Sequence, residues 1–290
     1  MVEFGPLAGT EWLAANLGAA DLRIFDVTVF LHPNPEGRGY RVESGRERFR
    51  EGHVPGAVFI DLIEDLSAPG SGLPFTMPPA DLAAQKLAAA GIAADSRVVA
   101  YSTGSVMWAT RLWWMLRSLG FDRAAVLDGG FAKWRSEGRP VTREPSTYPP
   151  ATLPISPRPS LWAGLDEMRR VAAEGGACAV NALSPEVYRG EKNVYGRPGH
   201  IPGSHNVFYD GLLYPQSATF RPLGELRERF ASSGALASPR VITYCGGGIS
   251  ATMDALALTL LGHPNVAVYD GSMSEWVRHP ELPLKLGSEP

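Results

Sequence analysis

The stretch RVITYCGGGISATMDALALTLLG, Arg240 to Gly262, decides the fold. Its opening, VITY, is a β-branched apolar run of strand length. Its end, TMDALALTLLG, is apolar at helical spacing and closes on Gly262, a helix stop. Strand, short loop and apolar helix together make the unit of an α/β fold whose parallel sheet is covered on both faces. The unit occurs twice, because RVVAYSTGSVMWATRLWWMLRSLG, Arg97 to Gly120, repeats it. EGHVPGAVFIDL (Glu51 to Leu62) likewise pairs with PGHIPGSHNVFYDGL (Pro198 to Leu212), and AAVLDGGFAKW (Ala124 to Trp134) with VAVYDGSMSEW (Val266 to Trp276). The order is kept in both copies. A repeat this long means two copies of one domain rather than a solenoid, and 290 residues suit two medium domains.

The remaining pattern agrees. CAVNA and VAVYD read as strands, and LGELRERFASSG as a helix preceded by Pro222 and ended by Gly234. Between the copies, Val141 to Ser160 holds six prolines and little apolar periodicity, which predicts a semi-rigid extended linker. The expected domains are therefore 1–140 and 161–290, joined by 141–160. Each is a mainly parallel sheet with helices on both faces.

Composition narrows the function. A net charge of −3 gives no basic surface for nucleic acid or anionic membrane. No apolar run approaches the roughly 20 residues of a membrane span, and the N-terminus lacks the pattern of a secretory signal. Two cysteines make no disulfide framework, so a reducing cytoplasm with free thiols is the expected location. His200 and His205 are close in sequence but have no further ligand set around them, so no metal is expected.

The loop itself has three readings. Gly246, Gly248 and Ala251 match a dinucleotide fingerprint, with Asp270 where a ribose-binding acid would sit. That fingerprint belongs in the first turn of its domain, however, and here a strand and a helix precede it. The acid also persists as Asp128 in the first copy, which lacks the glycines, so it reads as structural. The second reading is a thiol cradle. Cys245 ends a strand and faces the unpaired N–H groups of the next helix, which favour an anion. Gly246, Gly247 and Gly248 let those amides turn inward and lower the thiol pKa. Ser250 adds a hydroxyl and an N-cap. In the third reading Cys245 is a buried small residue and the glycines only make the turn. On the residues alone that one stays open.

The repeated motifs GHVPGA and GHIPGS, together with LDGGFAKW, YCGGGISA and YDGSMSEW, resemble those of the tandem-domain rhodanese-family sulfurtransferases, over nearly the whole chain. The resemblance implies that Cys245, Gly246, Gly247, Gly248, Ile249 and Ser250 form the active-site loop. The first copy is then non-catalytic, with Ser102 in place of the cysteine. It also implies a relay without cofactor: Cys245 takes a sulfane sulfur from a small anionic donor, thiosulfate or 3-mercaptopyruvate, and passes it as a persulfide to a thiol, cyanide or a thioredoxin-like protein. The family's acid and arginines are replaced by Asn181, Leu183 and Val187, which leaves Arg189 and Arg197 as candidate donor-binding cations and a weakly catalytic binding or carrier module as the alternative. The uncharged loop stands nearer the mercaptopyruvate pattern than the thiosulfate one. His53 is a turn histidine that could reach a site at the domain interface, Asp270 and Trp276 hold loop and core together, and Cys178 is a buried inert thiol. TRLWWMLRSLG reads as core or domain interface. Position 251 is Ala, where a phosphatase needs an arginine to grip phosphate.

Overall fold

The computed structural model describes residues 4–35 and 39–290. In the first half the strands are β1 (Leu7–Ala8), β2 (Leu22–Asp26), β3 (Val29–Pro33), β4 (Tyr40–Ser44), β5 (Val58–Phe59), β6 (Arg97–Tyr101) and β7 (Ala124–Leu127). In the second they are β8 (Trp162–Ala163), β9 (Cys178–Asn181), β10 (Ser204–Asn206), β11 (Val241–Tyr244) and β12 (Val266–Tyr269). The two five-stranded sheets run β1-β7-β6-β2-β5 and β8-β12-β11-β9-β10, every neighbour parallel. The two orders are the same order, copied. In each, the strand of the repeated motif is central, so Ser102 and Cys245 leave the middle of a carboxyl edge, where α/β sheets bind ligands.

The apolar runs become buried strands because both faces are covered; all four residues of β11 and of β12 are buried. Each sheet has an outer core of its own, built round Trp134 in the first half and Trp276 in the second. A third, larger core is shared. The helices Met107–Ser118 and Ala251–Leu260 pack against each other at its centre, and Thr110 and Thr252 exchange a buried hydroxyl hydrogen bond of 2.7 Å. The aromatic run TRLWWM is thus the face joining the halves.

Two further ties cross the same boundary with matching chemistry. The Met77 amide donates to Asp270 Oδ2 at 2.7 Å, and the Phe220 amide to Asp128 Oδ1 at 2.8 Å. Each half covers the carboxylate that follows the other half's last sheet strand.

Two features were not legible in advance. β3 and β4 form an antiparallel hairpin, from Val29↔Ser44 to Pro33↔Tyr40, that has no counterpart in the second half. The proline-rich segment, expected as a semi-rigid extended linker, lies as a strap along the first half. The Tyr148 hydroxyl donates to Gly56 O and accepts from the Ile24 amide, Ala151 and Ser156 amides bond Ala88 and Leu119 carbonyls, and Thr142 bridges His53. No helix among the described residues is long and apolar enough to cross a membrane.

Candidate active site

The loop that follows β11 is held from outside. The Cys245 carbonyl accepts from the Met273 amide (3.0 Å), the Gly246 carbonyl from the Ser274 amide (2.8 Å), and the Gly248 carbonyl from Arg111 Nη1 (3.0 Å). A trans peptide points its N–H opposite to its C=O. Pinning these three carbonyls outward therefore aims the amides of Gly246, Gly247 and Ile249 inward. Those amides, and that of Ser250, have no acceptor among the described residues. Together they form a set of unspent donors beside a cysteine that is only 2% exposed, which is the arrangement of an anion nest.

Ser272 fixes the curvature. Its Oγ accepts the amides of both Cys245 and Gly248, each at 3.1 Å, and donates to Tyr269 O at 2.7 Å. It does so from φ +50°, in the left-handed region that a residue with a side chain seldom occupies. The matching residue of the first half is Gly130, at φ +56°. A serine kept where glycine fits better is explained by the two amides it holds.

The glycines have separate reasons. Gly248 stands at φ +73°, and a Cβ there would come 2.6 Å from Asp270 O. Gly246 does not have a positive φ; a Cβ there would run into the Tyr195 hydroxyl. Gly247 is open, with nothing nearer than 3.8 Å. Positive φ is thus the reason at Gly248 alone, and the missing Cβ is the reason at Gly246. The expected Ser250 cap does not form either: the residue is already helical (φ −62°, ψ −25°), its side chain caps nothing, and it lines the pocket.

Arg111 is the residue the sequence reading missed as part of the site. It reaches across from the helix Met107–Ser118, fully buried. It donates to the carbonyls of Gly248 and Phe75, lies 2.7 Å from Asp270 Oδ1, and stacks over the Trp162 ring. The contact with Oδ1 is an ion pair rather than a straight hydrogen bond, since Nη1 aims its N–H at Gly248. An arginine set among apolar residues in the middle of that helix, apart from Arg117 in its last turn, was the available signal. Asp254, in the first turn of the following helix, is buried with neither carboxyl oxygen partnered. Burial, and then the charge of Cys245, push its pKa well up.

Above the thiol lies a cavity of about 330 Å³ between the halves. The β3–β4 hairpin roofs it, tied down by the Gly39 amide on Val194 O at 2.9 Å. Tyr40, Tyr195 and Tyr209 bring three phenols whose hydroxyls have no partner among the described residues. Burial first, and the nearby cysteine charge second, push the Tyr195 pKa well up; burial, helped by Asp210 and Cys245, takes Tyr209 to about 12. The Tyr195 and Tyr209 hydroxyls therefore hold their protons and can act as neutral donors.

The candidate cations are elsewhere. Arg189 pairs with Glu191 at 2.7 Å, and Arg197 donates to the carbonyls of His279 and Leu282. Neither lines the cavity. His53 is also remote from it: its ring nitrogens face the carbonyls of Phe49 and Glu144, to one of which the neutral tautomer can donate, and the ring stacks on Phe49. His200 does the same with Tyr188 and Glu289. Cys178 donates to Ser233 O, and burial pushes its thiol up to about 11, too high for a nucleophile. Among the described residues no group of three or more His, Cys, Asp or Glu could hold a metal.

The family model of the Rhodanese-like domain matches residues 9–137 and again 186–279. The chain belongs to the rhodanese family. This tandem rhodanese is 35% identical over 292 residues to a probable 3-mercaptopyruvate sulfurtransferase of Pseudomonas aeruginosa, covering 97% of this chain and 98% of that one. It is 33% identical over 285 residues to a thiosulfate sulfurtransferase of Cricetulus griseus, covering 95% and 93%. The crystal structure of the 3-mercaptopyruvate sulfurtransferase SseA from Escherichia coli superposes with a TM-score of 0.82 at 27% identity, over 92% of this rhodanese and 98% of that chain.

Proposed function

We propose that the chain is a sulfurtransferase whose Cys245 carries the sulfur as a persulfide, with 3-mercaptopyruvate preferred over thiosulfate as donor. The observation that carries the reading is the unspent amide set around a nearly buried cysteine at the floor of an interdomain cavity. In the first step the Cys245 thiolate attacks the donor's sulfur. The carbon–sulfur bond breaks, its electron pair leaves on the enolate of pyruvate, and the proton of the new –S–SH group passes to that enolate, releasing pyruvate and leaving the persulfide anion. The Gly246, Gly247 and Ile249 amides face the charge that develops on the outer sulfur, as oxyanion-hole donors do. In the second step a thiol or cyanide takes the outer sulfur and the thiolate returns.

The donor preference rests on charge. No Lys, Arg or His among the described residues lines the cavity. A carboxylate can be held by neutral hydroxyl and amide donors, whereas dianionic thiosulfate would be desolvated without a countercharge. The relatives include enzymes named for each donor. A cytoplasmic location goes with this reading, since a free nucleophilic thiol is kept by reducing surroundings.

Intact-mass spectrometry after incubation with each donor tests it. We expect one added sulfur with 3-mercaptopyruvate, less with thiosulfate at equal concentration, and none in Cys245→Ser. No adduct with either donor would replace the enzyme with a binding module.

A further inference from the structure

The cavity is larger and more apolar than the donor requires. The inward amides and the Tyr195 and Tyr209 hydroxyls lie round Cys245, and apart from the Tyr40 hydroxyl on the hairpin much of the remaining lining is hydrocarbon. Leu31 and Val42 come from the β3–β4 hairpin, Phe75 from the segment before the helix Ala80–Ala89, and Trp108 from the interface helix Met107–Ser118. No Lys, Arg, His, Asp or Glu lines the cavity among the described residues. The buried guanidinium nearest the loop, Arg111, is already neutralised by Asp270 and held by two carbonyls. A charged substituent against such a wall would give up its water for nothing. Apolar surface placed there is favoured by roughly 25 cal/mol per Å².

Access points the same way. Cys245 is 2% exposed, and its sulfur is reached only through the cavity, under a hairpin fastened to the other half at Val194. A cysteine on a folded protein would have to bring backbone into that space. A small molecule brings only its own substituent.

We propose that the acceptor discharging Cys245 is a small organic thiol with an uncharged, apolar or aromatic substituent, seated against Leu31, Val42, Phe75 and Trp108. The chemistry rests on the persulfide reading above. The acceptor thiol R–SH gives its proton to the outer sulfur of the persulfide anion, and the thiolate R–S⁻ attacks that sulfur. The bond between the outer sulfur and Cys245 Sγ breaks, a bond from R–S to the outer sulfur forms, and the electron pair leaves on Cys245 as its thiolate. The product is the organic hydropersulfide R–S–SH, so the consuming step must be one that uses a hydropersulfide sulfur.

The wall is tested first without any persulfide. In a Cys178→Ser background, Cys245 is alkylated with N-benzyl iodoacetamide, iodoacetamide and iodoacetate, each rate divided by that of free cysteine and read by intact mass. We expect the benzyl reagent to lead and to exceed iodoacetate by about tenfold or more, and Leu31→Arg to close most of that gap. An iodoacetate rate equal to or above the benzyl rate overturns the proposal. Discharge of the preloaded persulfide is then timed with benzyl mercaptan, 2-mercaptoethanesulfonate and a reduced thioredoxin at equal thiolate concentration. Faster discharge by the sulfonate or by the protein also overturns it. Failure to load sulfur at all counts against the persulfide reading, while the alkylation ratios still judge the wall.

Discussion

Replacing Ser272 separates what holds the loop from what merely accompanies it. In Ser272→Ala the amides of Cys245 and Gly248, both now on one hydroxyl at 3.1 Å, lose their acceptor inside the protein. An unsatisfied buried amide costs about 1–3 kcal/mol, so two should cost about 2–6 kcal/mol. The backbone strain remains, because alanine at φ +50° is no better placed than serine. Ser272→Gly loses the same two hydrogen bonds but relieves about 1 kcal/mol of left-handed strain. The glycine variant should therefore be the more stable of the two and still fall well below wild type. Neither should hold the inward amides in place, so the normalised rate of Cys245 alkylation should change in both by more than threefold. Urea unfolding gives the first quantity and intact-mass alkylation the second. If Ser272→Ala loses less than about 1 kcal/mol and alkylation is unchanged, Ser272 is not what shapes the nest.

Three other expectations follow from buried charge. Burial raises the Asp26 carboxyl to about 6 from its ordinary 3.8, so its protonated form stabilises the fold below pH 4 and that contribution is lost as pH rises through 6; the cost at pH 8 is about 3 kcal/mol. Asp26→Asn should recover much of it at pH 8 and nothing at pH 4 in paired thermal melts; an equal gain at both would sink the assignment. Arg111→Met strands Asp270 against the loop and should lose about 3–5 kcal/mol, with Arg111→Met/Asp270→Asn recovering part of it in the same urea titration. Asp254, also raised by burial, keeps its proton in the fold at pH values where the unfolded chain has lost it, so the stability advantage of Asp254→Asn over wild type should widen from pH 6 to pH 9; a gap that stays constant would show that the folded carboxyl is already ionised at pH 6.

The sequence carried the architecture because the architecture is local pattern repeated. VVAY and VITY are strands in any reading, Gly262 stops its helix, and two copies of the same order confirm each other. It carried the position of Cys245 for a related reason: the residue lies between a strand and a helix in the chain itself. It did not carry the surroundings of the thiol, which come from distant segments. Tyr195 meets Gly246 only after folding, the β3–β4 hairpin roofs the cavity from more than two hundred residues away in the chain, and Arg111 looks like a stray charge in an apolar helix until its partner Asp270 arrives from the other copy. The two arginines chosen for their nearness in sequence to the missing family positions failed for the same reason. Their guanidiniums met closer acceptors, Glu191 for Arg189 and the 279 and 282 carbonyls for Arg197.

The repeat also supplies an internal control for what distinguishes the copy with the cysteine from its twin. The strand order, the buried tyrosine that ends the central strand, and the carboxylate covered by the other half are common to both. What differs is a short list at one edge. The first copy has Ser102, whose hydroxyl donates to Ser105 O at 2.6 Å and so closes its own loop. It has Gly130 where the second has Ser272, so nothing there gathers the loop amides from that side. The second copy accepts a strained serine and a buried ion pair, and in return its amides point inward and remain unspent. Putting a cysteine at position 102 would restore the nucleophile but not the nest, because Gly130 has no oxygen to hold it. Ser102→Cys should therefore gain no sulfur from 3-mercaptopyruvate in a Cys245→Ser background, and a mass shift there would show that a cysteine at the strand end is sufficient by itself.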